Sequence, residues 1–447
     1  MRKLTPTQVL ALGFPLIMLI GALLLMLPAA SAAGEGTPFL TAAFTSVSAS
    51  CITGLVAVDT GTYWSTFGHV IILLLVQVGG LGFMSIAVML SMLIRRRVTP
   101  RERMLIAQSY GLDSVEDMTA LVKRVILGTL LFEGAGAVLL ATQFVPIFGW
   151  GRGLWYGIFH SVTAFCNAGF DLLGGYSGAY TSLIAFADNP VVCLTIILLI
   201  FLGGIGFLVW TDFLQFFRHR RRFSVYTKFV LILSAVLLFG GALLFLVFEW
   251  DNPATLGGMS FGEKLVAALF QSMTLRTAGF ATVDNALLTA PSKLLGVLLM
   301  IVGGASGSTA GGVKVVTVGI VVLTVARTLT GHREINLFGR RITAEQFMRA
   351  AVLLFIQFTV ILVGTVIFIA HGGADPMAAL YEITSAAGTV GISFGLTPSL
   401  GVAEKLVLMV LMYFGRVGIL TVTYAVSLGQ SREKDCITYP DANLLIG

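Results

Sequence analysis

Residues 44–55 read FTSVSASCITGL, and three later stretches repeat the pattern: FHSVTAFCNAGF at 159–170, FQSMTLRTAGF at 270–280 and YEITSAAGTVGI at 381–392. Each opens on an aromatic residue, carries Ser or Thr two or three positions on, and closes on a small residue, glycine and an apolar residue. The closing glycines, Gly54, Gly169, Gly279 and Gly391, lie 115, 110 and 112 residues apart. Near-constant spacing with local similarity marks an internal repeat.

The flanking sequence is strongly apolar. Hydrophobic residues make up 57% of the 447 and charged residues only 11%, against about 25% charged in a soluble domain. This composition points to an integral membrane protein, and no part reads as a separate soluble domain able to hydrolyse ATP. A spanning helix needs about 20 apolar residues. Runs 7–27, 69–94, 124–147, 191–217, 227–249, 292–327, 347–370 and 404–428 meet that length. They fall into four pairs, each enclosing a segment too short to span: 37–55, 155–170, 261–280 and 376–392. The expected fold is an all-α membrane protein of four tandem helix–pore loop–helix repeats, with eight spans and four re-entrant helices around one pseudo-fourfold pore. The repeats are bounded at 1–110, 111–223, 224–343 and 344–430, followed by a tail at 431–447. The 19-residue apolar stretch 9–27 exceeds the usual 7–15 of a cleaved signal and is read as a retained helix.

Charge sets the orientation. The five segments expected on the inner side (1–8, 95–124, 218–228, 327–349 and the tail) hold 21 of the 28 Lys and Arg residues. That bias puts them, and both termini, in the cytoplasm. It accounts for the net charge of +6 without a nucleic-acid partner. Arg95–Arg97, Arg218–Arg222 and Arg340–Arg341 can set topology, contact anionic lipid or dock an acidic partner. Three cations remain at membrane depth: Arg276, Lys314 and Arg416. Intramembrane charge is costly and by default marks function.

Non-helical backbone at membrane depth persists only where protein buries it or water bathes it. Four such loops can converge on one axis, their carbonyls forming rings that replace a cation's hydration shell. The candidate lining is Cys51, Ile52, Thr53 and Gly54; Cys166, Asn167, Ala168 and Gly169; Arg276, Thr277, Ala278 and Gly279; Gly388, Thr389, Val390 and Gly391. The cation would sit on the carbonyls of the last two residues of each set, the glycines allowing positive φ or close backbone approach. On chemistry alone this argues for a monovalent cation.

A second feature is the break IVGGASGSTAGGVK at 301–314. Unbroken, residues 294–326 would make a helix of about 50 Å, too long for a hydrocarbon core of about 30 Å. Gly303, Gly304, Ala305, Ser306, Gly307, Ser308, Thr309, Ala310, Gly311 and Gly312 form the breaking point, and Lys314 follows where the helix resumes, placed to snorkel to the cytoplasm. The unwound backbone must face a wet cavity, and the pore just inside the four loops is the one available. Arg416, mid-helix in LMYFGRVGIL, offers five donors to the break's carbonyls. Together they form a candidate gate, with a packing strut as the alternative role for Arg416.

Arg276 takes the place of Cys51 and Cys166, three residues before its glycine, with Glu382 as expected partner. Glu133, alone in its apolar run, reads as a dimer contact or a lipid-edge residue. The four cysteines show no metal spacing, and Cys51 and Cys166 read as thiols packed behind the loops. GGLGF and GGIGF (79–83 and 203–207) resemble dinucleotide loops but lie inside apolar helices with no preceding strand, where they permit close packing.

The four loops, Gly79-Gly80-Leu81-Gly82, Gly203-Gly204-Ile205-Gly206, the 303–314 break, Arg416 and the terminal Tyr439-Pro440…Ile446-Gly447 resemble the membrane subunits of Ktr-type potassium uptake systems in the Trk/Ktr/HKT superfamily, over the whole chain. The first repeat begins almost at Met1, whereas Trk proteins carry two additional N-terminal helices. The resemblance implies potassium as the transported ion, sodium as a further candidate, an intramembrane gating loop, a homodimer in the bacterial plasma membrane and no enzymatic activity. It also implies a cytosolic nucleotide-binding regulatory ring of the KtrA/KtrC-like kind, with the nucleotide on the ring. Only the fourth loop, TVGISFG (389–395), approaches the filter sequence of tetrameric potassium channels. The alternative function is an alternating-access secondary cation transporter.

Overall fold

The computed structural model describes residues 6–82, 104, 118–220, 222–331 and 334–418, and the protein is mostly helical. The tail from 419 on, with its Tyr-Pro pair, and most of the basic segment 95–124 lie outside the described residues. Helices α1 (Pro6–Leu25), α2 (Phe39–Ser50) and α3 (Thr66–Leu81) come first. A long helical run α4 (Met118–Phe165) follows, kinked at Gly149 where φ is 76°. Next are α5 (Pro190–Gly204), α6 (Phe207–His219), α7 (Val225–Glu249), α8 (Phe261–Thr274) and α9 (Ala290–Ile301). The last four are α10 (Val315–Leu329), α11 (Ala344–Gly372), α12 (Pro376–Gly388) and α13 (Val402–Val417). A two-residue hairpin pairs Asn336–Leu337 with Arg340–Arg341 between α10 and α11.

Among the described residues, α4, α7 and α11 are long and apolar enough to cross a membrane, and α5 with α6, bent by 94° at the break between them, is a fourth when the pair is counted as one span. The apolar helices α1, α2, α3, α9 and α10 are shorter. The stretch 292–327 is not one helix: α9 stops at Ile301 and α10 starts at Val315.

The short segments enclosed by the apolar runs are helical, as their pattern suggests. α2, limb 150–165 of α4, α8 and α12 each end three to five residues before the motif's glycine. Their side chains are buried nearly throughout their last two turns. Sequence chemistry fixes their starts. Ser260 and Glu263 form a reciprocal capping box on α8, and Asp375 accepts from the amides of Met377 and Ala378 on α12, which satisfies amides a helix start leaves open. Each short helix packs on the apolar helix before it through a small contact. Ser46 Oγ donates to Met18 O at 2.7 Å, Ser161 Oγ to Glu133 O at 2.6 Å and Ser272 Oγ to Leu238 O at 2.9 Å. Gly21, Gly136 and Gly241 leave the room those hydroxyls occupy, and Gly364 does the same for Ile383.

One carboxylate ties down a connection. Glu249, 1% exposed, accepts from Asn252 Nδ2 and Thr255 Oγ1 at 2.7 Å, and from Thr289 N and Oγ1 at 2.8 and 2.7 Å. Glu249→Ala leaves these donors without their acceptor, at a cost of about 1–3 kcal/mol for a buried group. The expected result is unfolding in detergent roughly 5 °C lower, read by thermal denaturation of the purified protein.

Candidate functional site

Past the short helices the backbone changes hand in a regular way. Ile52, Asn167, Thr277 and Thr389 all have left-handed φ, at 54°, 57°, 67° and 52°, and two residues later Gly54, Gly169, Gly279 and Gly391 are positive again, at 90°, 67°, 86° and 87°. Left-handed φ is uncommon outside glycine, so four matched cases need support. The amide of the intervening residue turns back onto the helix: Thr53 N to Ser48 O and Ala168 N to Thr163 O at 2.8 Å, Ala278 N to Thr274 O at 2.9 Å and Val390 N to Ser385 O at 2.8 Å. The hydroxyl four positions after the motif's aromatic adds a brace. Ser48 and Ser385 accept from the amides of Gly54 and Gly391 at 3.1 and 3.0 Å, while Thr163 and Thr274 donate to the carbonyls of Phe170 and Phe280 at 3.0 and 2.6 Å. With φ alternating in sign, successive carbonyls need not point to opposite sides as they do in a strand.

The four loops meet. A methyl group added to Gly54 would lie 2.5 Å from the carbonyl oxygen of Ala168. On Gly169 it would lie 2.8 Å from Ala278 O, on Gly279 2.8 Å from Val390 O, and on Gly391 it would collide with Thr53 O. Loop one touches two, two touches three, three touches four and four touches one, so the loops close a ring. The residue before each glycine thus sets its carbonyl beside the neighbouring loop's glycine. All sixteen candidate lining residues belong to these four turns. Cys51 and Cys166 are buried free thiols, and the Cys166 thiol donates to Gln77 Oε1 at 3.4 Å.

Beneath the ring lies the break. Residues 302–314 are non-helical, yet neighbouring elements satisfy much of the backbone. Gly303 N donates to Val313 O at 2.8 Å and Val315 N to Gly304 O at 3.0 Å, folding the break on itself. Ala305 N and Thr309 N donate to the end of α5, to Gly204 O at 2.9 Å and Gly203 O at 3.2 Å. Gly312 N reaches Gly415 O at 3.1 Å on α13. Thr309 is the junction with the ring, its hydroxyl donating to Phe165 O at 3.0 Å and lying 3.5 Å from Asn167 Oδ1.

Arg416 bridges this junction. One terminal nitrogen donates to Thr309 O at 2.6 Å; the other donates to the carbonyls of Gly79 and, at 3.0 Å, Gly80. The break's carbonyl was the partner expected from sequence; the end of α3 was not. A signal for it existed. Gly79-Gly80-Leu81-Gly82 and Gly203-Gly204-Ile205-Gly206 are matched by Gly415-Arg416-Val417-Gly418, with Arg416 where the others have the second glycine. The closing glycines, Gly82, Gly206 and Gly418, have φ of 78°, 91° and 86°. The first of each trio presses on the end of a short helix, at Ser50 O, Phe165 O and Ala387 O.

Three expectations are corrected. Arg276 donates to Ser234 O and Oγ at 3.4 Å rather than to Glu382, whose carboxylate takes the Thr397 hydroxyl; Ser234 on α7 offers the guanidinium two acceptors within reach. Lys314 does not snorkel: its ammonium turns back to Ala310 O at 2.8 Å, because the break supplies an acceptor within reach. Glu133 is neither a lipid-edge residue nor a surface contact. It is 6% exposed and accepts from Gln77 Nε2 at 3.2 Å, behind the second loop.

The sequence matches the family model described as TrkH, cation transport protein, over residues 14–434. The chain belongs to the TrkH cation transport family. Its similarity extends over full lengths. It is 36% identical to the potassium/sodium uptake protein NtpJ of Enterococcus hirae, covering 100% of this chain and 98% of that one. It is also 36% identical to the Ktr system potassium uptake protein B of Bacillus subtilis, covering 100% and 97%. Among solved structures, the potassium transporter TrkH from Vibrio parahaemolyticus superposes with a TM-score of 0.73 at 19% identity, covering 93% of this chain and 83% of that one. At that identity the likeness speaks for the fold.

Proposed function

We propose that the chain is the ion-translocating subunit of a Ktr-type system and takes up potassium through a channel-like pore. The observation that carries the reading is the closed ring of four loops, each setting a backbone carbonyl beside its neighbour's glycine. Four helix–loop–helix repeats, at 1–110, 111–223, 224–343 and 344–430, build that ring around a pseudo-fourfold axis. The carbonyls of Thr53, Gly54, Ala168, Gly169, Ala278, Gly279, Val390 and Gly391 replace the ion's water. Potassium as the substrate draws support from the names of the full-length relatives, one of which names sodium as well.

The 303–314 break and Arg416 form the barrier. The break runs directly under the second loop, and a fixed guanidinium below a cation path opposes passage. The membrane potential drives uptake, at about 2.3 kcal/mol per charge per 100 mV. Both termini face the cytoplasm, the membrane part is a homodimer, and a cytosolic nucleotide-binding ring regulates it. An alternating-access mechanism draws less support, because the ring is built from backbone and all four repeats run in one direction.

The test is growth of a bacterium lacking potassium uptake on low potassium, expressing this chain with and without a Ktr-type cytosolic partner. Rescue is expected, stronger with the partner. Membrane-inserted protein that rescues in neither setting sinks the potassium reading.

A further inference from the structure

The gate reading leaves open how the break is held from its far side. Two adjacent carbonyls at its tip answer to two different helices. Tyr226 Oη on α7 donates to Ser306 O at 2.9 Å, and the amide of Phe207 donates to Gly307 O at 2.8 Å. Phe207 is the first residue of α6, after Gly206 turns the chain at φ 91°. Its amide is one that a helix start leaves open, and the helix dipole there favours a carbonyl oxygen. The 94° bend between α5 and α6 aims this amide at the break.

α6 and α7 are themselves clasped into one hairpin. Asp212 Oδ2 accepts from Ser224 N at 3.2 Å, from Ser224 Oγ at 2.5 Å and from Thr227 Oγ1 at 2.5 Å. Phe223 stacks on Phe216 and packs against Phe213, with ring centres 4.8 and 4.9 Å apart. At the apex Arg218, Arg220 and Arg222 are exposed. The hairpin therefore carries a basic patch at its apex and grips the break at consecutive peptide groups, through Tyr226 in the first turn of α7 and through the start of α6.

We propose that Tyr226 is a positioning residue for transport: with the Phe207 amide it fixes the tip of the break, and the α6–α7 hairpin, locked by Asp212, carries displacement of its basic apex to that tip. This rests on the break being the barrier. Tyr226→Phe removes one hydroxyl and keeps the ring, so the fold has little reason to change.

The experiment is rubidium flux into liposomes containing the full-length chain without a cytosolic partner, for Tyr226→Phe, Asp212→Asn, the double variant and Arg416→Gln. Tyr226→Phe is expected to raise flux about fivefold, the worth of one net hydrogen bond, at an unchanged half-saturating rubidium concentration. Asp212→Asn acts in the same direction. The double variant exceeds the larger single effect by less than about twofold, because both loosen one device. A merely structural lesion would lower flux or shift half-saturation, and either result overturns the proposal. Wild-type flux in Tyr226→Phe while Arg416→Gln is faster also overturns it and leaves the gate standing. If no variant is faster, the gate reading fails and the hairpin device falls with it.

Discussion

Gly279→Asp abolishes potassium uptake while the protein still reaches the membrane, and Gly279→Ala lowers uptake about 10- to 100-fold. Two costs combine. Gly279 sits at φ 86°, where a residue with a β-carbon is strained by about 1–3 kcal/mol. The added carbon would also lie 2.8 Å from Val390 O and 2.9 Å from the α-carbon of Gly169. Both are backbone atoms of neighbouring loops, with no rotamer to give way, so the substitution must push apart three of the four loops. At about 1.4 kcal/mol per tenfold, strain alone predicts the stated loss for alanine. Aspartate adds a carboxylate beside a ring of carbonyl oxygens, where it either repels them or captures the ion. Gly34 is the control: its φ is 71° but nothing lies within 4 Å of an added carbon. Gly34→Ala should retain near wild-type uptake. Rubidium flux, normalised to the amount of protein in the membrane, measures all three. Equal loss at Gly34 and Gly279 would mean that backbone strain, not the ring, explains the effect.

The repeat was legible because it rests on local composition. Aromatic, hydroxyl and glycine recur at fixed offsets, and the break at 303–314 shows itself as five glycines in the ten residues 303–312 of an otherwise apolar run. The hydroxyls that brace the loops, Ser48, Thr163, Thr274 and Ser385, were equally present, but only the folded turn shows that the fourth position after the aromatic reaches the glycine or the residue after it. The short third motif, FQSMTLRTAGF, has its counterpart in a shorter back-turn, Ala278 to Thr274 instead of a five-residue step. What sequence hides is long-range partnership. Glu133 meets Gln77 across 56 positions and Arg416 meets Gly79 across 337. An isolated charge in an apolar run reads as lipid-facing or functional, and nothing nearby decides which. Lys314 was misjudged for the opposite reason: its acceptor, Ala310 O, is four residues away, but in an unwound turn rather than a helix.

Replacing Arg416 by lysine and by glutamine separates two ways in which it can serve the proposed barrier. A charge that repels and a fork that ties predict different results for lysine. The guanidinium spans two elements at once, Thr309 O on the break and the Gly79 and Gly80 carbonyls at the end of α3. Charge-assisted hydrogen bonds contribute about 1.5–3 kcal/mol each, so losing the tie to Thr309 corresponds to roughly 10- to 100-fold in the population of a displaced break. Arg416→Gln should therefore raise partner-free flux by one to two orders of magnitude. Lysine keeps the charge but is a point donor on a flexible stem; it can serve the break or α3, not both. If tying dominates, Arg416→Lys is also faster than wild type, by about tenfold less than glutamine because the repulsion survives. If repulsion alone forms the barrier, lysine matches arginine. The geometry favours the tie. The matching positions in two other second helices are Gly80 and Gly204, which have no side chain, whereas Arg416 reaches both α3 and the break. Flux of the three proteins at equal reconstitution decides it, and a glutamine variant no faster than wild type would remove Arg416 from the barrier altogether.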